Sequence, residues 1–487
     1  MTLLLVIDVG TTTLRAALVD DALDLVDLEV RSSEPSTPFP GLVEFDAAQL
    51  AATALDAART VLARASGPVV AVGITNQRAS TVVWDQQTGT PLAPALGWQD
   101  LRTVGECITA AAEHDLALAP NQSATKVAWL LDHVAGARDR QVAFGTVDTW
   151  LAWNLTDGAH HVTDHTNAAV TGLLAPDASA WSDAVAGILG IPTSVLPRLV
   201  SSSGVVGQAT ALPGVPPLAA LVGDQHASLF GQGCGRPGAT KITFGTGGML
   251  DTCTGAAAPA MARRSPHGTF PIVTWSHHDR PMWGVEGIML SAGTNVEWLR
   301  DDLGLIDSAA ASHDVASSVH SSDGVVYVPA LLGLGTPHWD YGARGTLVGI
   351  TRGTTAAHIV RAVLEGVAHR GDDLVAAAEA DIGTAIDVVR VDGGMSANPT
   401  FVQALADAIE RPVEVSPVAE ATTRGAAFLA GLAVGVWGDI DDAAALWAPS
   451  RIVEPTASGD AEARRNRWDD AVSRARNWYP ELSALDF

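Results

Sequence analysis

Apolar residues fall in short unbroken runs along this chain, with stretches of helical period between them. "LLLVID" (3–8) and "AALVD" (16–20) bracket a Gly-Thr-Thr-Thr turn and predict a hairpin, and "VVAVGIT" (69–75) predicts another buried strand. Helical spacing runs through "DAAQLAATALDAARTVLARA" (46–65), "TKVAWLLDHV" (125–134) and "AAHIVRAVLEGVAHRGDDLVAAAEA" (356–380). This alternation predicts an α/β protein whose sheets are covered by helices. Asp8 ends the first apolar run. A buried unpaired charge costs several kcal/mol or more, so a side chain or a ligand must meet it.

The pattern repeats. "VIDVGTTT" (6–13) resembles "ITFGTGGM" (242–249), and Gly10 and Gly245 stand 235 positions apart, close to half the chain. A duplicated domain explains this economically, each copy offering one tight turn; chance similarity of two short turns is the alternative. A third signal is "VVRVDGGMSANPTFVQALADAIE" (388–410), a strand running into Gly393-Gly394. A helix is then predicted with Asn398 as its N-cap and Pro399 in its first position. "RGAAFLAGLAVG" (424–435) is a small-residue helix suited to close packing.

Composition narrows the options. At 487 residues, two domains are expected. The net charge of -25 argues against a nucleic-acid or anionic-membrane partner. Cys107, Cys234 and Cys253 form no CxxC, so neither a disulfide framework nor a zinc site is expected, and a reduced cytoplasm fits. The apolar start lacks the basic flank of a signal peptide, and no run is long enough to predict a spanning helix.

Two Gly-Thr turns and a Gly-Gly helix start suggest a nucleoside triphosphate held between two domains. Turn N–H groups and Thr hydroxyls donate to phosphate oxygens, while an acid at a strand end holds Mg²⁺, through water. An ordinary Asp-Val-Gly turn is the other reading of that stretch alone. A dinucleotide-binding fingerprint fails on spacing, since no GxGxxG follows the first strand. GxxxxGK[ST] is also absent, and "GLGTP" (333–337) lacks a strand-to-helix context.

Over nearly its whole length the sequence resembles the FGGY carbohydrate kinases, nearest to the glycerol kinases. The stretches that carry this include "DVGTTTLRAALVD" (8–20), "GITNQRASTVVWDQQTGTPL" (73–92), "WQDLRT" (98–103) and "FGTVDTWLAWNLT" (144–156). In the same order follow "VTDHTNA" (162–168), "GDQHASLFGQ" (223–232), "FGTGGML" (244–250), "PALLGLGTPHWD" (329–340) and "RVDGGMSANPTF" (390–401). The resemblance implies two ribonuclease-H-like domains of the actin and sugar-kinase type with a cleft between them. Residues 1–233 would hold the acceptor, the catalytic base and the first phosphate turn, and 234–487 would bind ATP. It further implies that Asp224 is the general base and that Asp8 holds Mg²⁺, through water. Thr11, Thr12, Thr13 and Arg15 would serve the nucleotide from one side. Thr246, Gly247, Gly293, Glu297, Gly393, Gly394 and Asn398 would serve it from the other. A cytoplasmic enzyme follows, with a homodimer common in the family.

The acceptor positions depart from the glycerol-kinase pattern. Arg78, Trp98, Asp224 and Gln225 match it, but its Glu after the Arg is Ala79, its Tyr is Asn121 and its Phe is Met249. Losing the Glu removes a charge-assisted acceptor for two hydroxyls, worth roughly 1.5–3 kcal/mol each. The expectation is an ATP-dependent, Mg²⁺-requiring kinase of a longer polyol or a ketose. Glycerol kinase proper and a ketopentose kinase of the xylulokinase type are alternatives, as is a non-catalytic ATP- and sugar-binding regulator. The family's usual Gln on the nucleotide side is Glu297, an acid that would weaken ATP binding. "HHVTDHT" (160–166) and "SHHD" (276–279) have metal-like histidine spacing but are expected to be structural, in a strand–loop region and a loop. His226 would tune the site or fill space, and of the 14 Trp only Trp98 is expected at the acceptor.

Overall fold

A computed structural model describes residues 2–261, 263–417, 420–456 and 461–484. The first hairpin forms as expected from β1 (Leu3–Val9) and β2 (Thr13–Asp20), extended by β3 (Leu25–Ser32) and, parallel to β1, by β4 (Val69–Asn76). Next along the chain come β5 (Ser203–Gln208) and β6 (Pro217–Gly223), with β6 parallel to β4. The second Gly-Thr turn joins β7 (Thr240–Phe244) to β8 (Gly248–Gly255), followed by β9 (Phe270–His277) and β10 (Arg280–Met289). Then come β11 (Val389–Asp392), β12 (Val413–Val415) and the edge strand β13 (Arg451–Val453).

β7 pairs antiparallel with β8, β8 antiparallel with β10, and β11 runs parallel to β7 with β12 beside it. Set against β1, β2, β3, β4 and β6, this is the same five-strand arrangement twice, so the echo between the two turns reflects a repeated topology. Sequence periodicity gave no hint that the two copies form one sheet. All thirteen strands join, the copies meeting where Ser203 of β5 pairs with His277 of β9.

β1 reads as a continuous apolar run because both its faces are covered. Leu3, Leu5, Ile7 and Val9 face a core with the expected helix α1 (Ala47–Ala63), which Asp46 caps. Leu4 and Val6 face the opposite core, shared with the helices Asp224–Gly231 and Ala421–Ala433. Alternation puts Asp8 on that second face. α2 (Ala124–His133), α3 (Val147–Leu155) and α4 (His165–Ala169) also belong to the first half, and His165 thus opens a short helix rather than lying in a strand or loop. Asp164 caps α4, accepting from the N–H groups of Thr166 and Asn167, and the segment continues the chain into a helical turn for that reason.

α5 (Asp224–Gly231) follows β6 directly. α6 (Thr294–Asp301), the long α7 (Ala356–Ile382) and α8 (Pro399–Ile409) cover the second half, Asn398 capping α8 as expected. α9 (Ala421–Ala433) is the small-residue helix, and it lies on the first half's sheet against α5. There a Cβ on Gly425 would sit 1.8 Å from Ala227 O, and one on Gly231 equally close to Ala421 O. Backbone, not a flexible side chain, fills that space. Gly425→Ala is therefore expected to destabilise by about 3 kcal/mol, the upper part of the usual overpacking range, in urea unfolding; a loss within error of zero would mean the helices slide apart freely. α10 (Ala461–Ala475) buries Trp468 against the second half. Among the described residues no helix is long and apolar enough to cross a membrane.

Candidate active site

Asp8, 3 % exposed, stands directly across the hairpin from Arg15, whose Nη1 lies 3.7 Å from Oδ2. Arg15 Nε also lies 3.3 Å from Glu420 at the start of α9. Burial pushes the Asp8 carboxyl up to about 7 against the pull of Arg15, with the Asp224 and Glu420 carboxylates adding to the rise. Carboxylates crowded in this way suit a divalent cation, which would relieve their repulsion. No group of three or more His, Cys, Asp or Glu side chains forms a metal cage among the described residues. A hard cation held by Asp8 would thus complete its shell with water and phosphate oxygens.

Asp224 is the first residue of α5, its Oδ1 accepting from Gln225 N–H at 2.8 Å. Gly223 before it donates its N–H to Thr166 Oγ1 at 2.8 Å, tying the start of α5 to α4. A Cβ on Gly223 would sit 2.9 Å from Arg78 Cγ and Cδ, so glycine lets the arginine stem cross here. Arg78 Nε comes within 3.9 Å of Asp224. Burial raises the Asp224 carboxyl above the usual range, opposed chiefly by Arg78.

Arg78 and Ala79 form a tight turn after β4. Ser80 N–H bonds to Arg78 O at 2.9 Å, and Ala79 has φ of 62°, the strained left-handed region. Ser123 Oγ donates to Ala79 O at 2.9 Å, two residues beyond the exposed Asn121. Ala79 is buried, and Trp98 is 36 % exposed with its indole N–H on Thr11 Oγ1 at 3.1 Å.

Residues from the second half, missed in the sequence, complete this floor. Arg78 Nη2 donates to Glu286 Oε2 at 2.9 Å, while Nη1 is buried with no partner among the described residues. Glu286 on β10 lies opposite Asp251 on β8, which lies opposite Lys241 on β7. Lys241 Nζ reaches Asp251 at 2.7 Å and donates to Gln225 Oε1 at 3.0 Å. Burial raises the Glu286 carboxyl, and Arg78 opposes it. Met249 stands two residues before Asp251 on β8, on the same face. His226 is fully buried, both ring nitrogens without partners among the described residues, and burial holds it neutral.

Of the residues expected to serve the nucleotide, Thr246, Gly247, Gly293 and Gly393 come together at the end of β7. Ala292 N–H bonds to Thr246 O at 2.9 Å and Gly293 N–H to Gly245 O at 2.8 Å. Cβ atoms on Gly247 and Gly393 would meet Met289 O and Phe244 O at 2.7 and 2.4 Å. Thr12, Thr246, Gly393 and Gly394 are exposed, Thr11 and Thr13 partly so. Glu297 is exposed in the first turn of α6, and Asn398 Nδ2 donates to Ser312 Oγ at 2.8 Å. The histidines with metal-like spacing are otherwise placed: His161 Nε2 meets Phe144 O at 2.7 Å and His165 Nδ1 meets Val200 O at 3.0 Å. Ser276 and His277 end β9 rather than forming a loop, His277 Nδ1 meeting Ser203 O at 3.0 Å, and only His278 and Asp279 make the β9–β10 turn.

Comparison with known proteins agrees with this arrangement. Residues 3–231 match the N-terminal domain, and residues 240–434 the C-terminal domain, of the FGGY family of carbohydrate kinases. A glycerol kinase of Aromatoleum aromaticum is 44% identical over 98% of this chain and 99% of its own. One of Deinococcus radiodurans is 41% identical over 99% of each chain. The crystal structure of Plasmodium falciparum glycerol kinase with ADP matches with a TM-score of 0.91 at 29% identity, covering 100% of this chain and 99% of that one. That of a xyloylose kinase from Brucella ovis matches at 0.85 and 25% identity, covering 99% and 100%. The chain belongs to the FGGY family of carbohydrate kinases, ATP-dependent phosphotransferases that act on an alcohol group.

Proposed function

We propose that this enzyme phosphorylates a primary hydroxyl of a small polyol or sugar longer than glycerol. Residues 1–233 bring the acceptor and residues 234–487 the nucleotide, in the cytoplasm, where ATP is made. Asp224 takes the hydroxyl proton as that oxygen attacks the γ-phosphorus; the new O–P bond forms as the bond to ADP breaks. Thr11, Thr12 and Thr13 on one side, and Thr246 and Gly247 on the other, offer donors to phosphate oxygens. Gly293, Gly393, Gly394 and Asn398 border the nucleoside. Mg²⁺, which Asp8 would hold through water, supplies neutralising charge when bound.

The observation that carries this reading is Arg78. Its Nη1 is buried with no partner among the described residues, on a guanidinium whose Nε lies 3.9 Å from Asp224, and a buried donor of that kind calls for an acceptor oxygen. Its acid is Glu286 of the second half, while position 79 offers only a methyl group. Ala79, Asn121 and Met249 are smaller or more flexible than the Glu, Tyr and Phe of the glycerol-kinase pattern, which favours a longer carbon chain. Glycerol itself is the second reading, favoured by the 44% identity to a glycerol kinase.

ADP release with Mg²⁺ and ATP, measured on glycerol, on four- and five-carbon polyols and on ketopentoses and hexoses, separates the two. The highest kcat/KM is expected on an acceptor longer than glycerol; strongest turnover on glycerol overturns the enlarged pocket. Silence across the whole panel with ATP bound would favour a regulator. Ala79→Glu is expected to raise kcat/KM for glycerol by about tenfold or more, since one charge-assisted bond returns.

A further inference from the structure

The turn that carries Arg78 and Ala79 is flanked by two buried polar side chains, Gln77, which reaches Gly10 of the first hairpin turn, and Ser80, which links Gln77 to Trp98. Gln77, before it, bonds through its N–H to Val9 O at 2.7 Å and through Nε2 to Gly10 O at 3.4 Å. Ser80, after it, donates its hydroxyl to Gln77 Oε1 at 3.1 Å and accepts the N–H of Trp98 at 3.1 Å. The Trp98 indole closes the ring on Thr11. Gly10-Thr11, Trp98, Ser80 and Gln77 thus form one closed hydrogen-bonded circuit with Arg78 and Ala79 inside it.

Gln77 and Ser80 are almost wholly buried, at 6 % and 0 % exposure, and every polar atom of the Ser80 hydroxyl is used within the circuit. Trp98 is its one loosely held member, exposed over a third of its surface. Lys126 Nζ holds the backbone there, donating to Gly97 O at 2.8 Å and Trp98 O at 3.1 Å, but leaves the ring to the circuit. The chemistry at Thr11 gives the circuit a direction. A hydroxyl that accepts from the indole keeps its own hydrogen free for another oxygen, and linked hydrogen bonds strengthen one another. An acceptor packed on the indole would fix the ring, and with it the direction in which Thr11 donates.

We propose that Gln77 and Ser80 are positioning residues that couple the acceptor seat to the phosphate turn, so that filling either raises affinity at the other. This rests on the reading of Trp98 and Thr11 given above. Coupling of this kind is reciprocal: each ligand must change the other's affinity by the same factor.

The test is titration calorimetry on the intact protein with ADP and Mg²⁺ as one probe and, as the other, the acceptor with the highest kcat/KM in the panel above. Each is titrated with and without the other at saturation. Wild type is expected to show an equal gain of several-fold in both directions. Gln77→Ala and Ser80→Ala are expected to bring the factor to within twofold of one, while each ligand alone binds within about twofold of wild type. A side chain that only stabilised the fold would weaken both ligands or neither and leave the factor in place. Variants that keep the wild-type factor overturn the proposal, as does a wild-type factor of one. Should one variant fail to fold, the other decides. Absent turnover on every acceptor by wild type would instead defeat the site reading, a result separate from turnover without coupling.

Discussion

Asp224→Asn is expected to lower kcat by about 10²–10⁴-fold, the usual contribution of a positioned general base, with the melting temperature within error of wild type. The amide keeps the shape of the side chain and its acceptor for Gln225 N–H, so α5 still begins at residue 224. It cannot take a proton at the pH of the reaction. Because proton transfer occurs only on the way to the transition state, KM should move far less than kcat. Full turnover by the variant would remove Asp224 from the mechanism and leave the chemistry to another group in the cleft.

The pH dependence carries the same assignment. Asp224 acts as a base only when ionised, and burial raises its carboxyl above the ordinary range while Arg78 opposes that rise. kcat/KM should therefore fall on the acid side, at a pH higher than an ordinary carboxylate would give. Arg78→Met removes the opposing charge, so its acid limb should move further towards neutral pH, beyond the expected loss in acceptor KM. A limb that moved the other way would mean that another group controls it.

How far these residues could be read without coordinates depended on whether their signal was local. The two hairpins were legible because an apolar strand, a Gly-Thr turn and a second apolar strand lie within a dozen residues. The cap at Asn398 was legible for the same reason. The joining of both copies into one sheet was not, since one register pair, Ser203 with His277, makes the junction, and the histidine spacing around His277 suggested a metal rather than a strand pairing. Arg15, expected to serve the nucleotide, is the cross-strand neighbour of Asp8, a pairing that the hairpin reading itself implies. Lys241, Asp251 and Glu286 were missed, although each is the one charge within a run of apolar or small residues, the anomaly that drew attention to Asp8. Gln77 and Ser80 carried no charge to betray them, and only their partners reveal their place.

That row of lone charges is also where the fold should be most sensitive. Lys241 and Asp251 are both fully buried, 2.7 Å apart, and Glu286 stands beside Asp251 on the next strand. Lys241→Met would leave two carboxylates facing each other in the sheet with Arg78 as the remaining cation against Glu286. Breaking a buried pair by removing one partner typically costs about 3–5 kcal/mol, because the other charge is left uncompensated. Like charges directly opposite across strands add to that. Urea unfolding of Lys241→Met should show a loss of this size, and a loss below about 1 kcal/mol would mean that Asp251 finds another partner or takes up a proton at little expense. Lys241→Met combined with Asp251→Leu should recover most of the stability, since neither charge then remains buried. Acceptor affinity should not recover with it. Lys241 Nζ is the donor that holds Gln225 Oε1, so the double variant, folded but without that anchor, should keep a raised acceptor KM. Stability and binding would then separate at one residue, as expected where a buried charge both seals the sheet and orients the side chain above it.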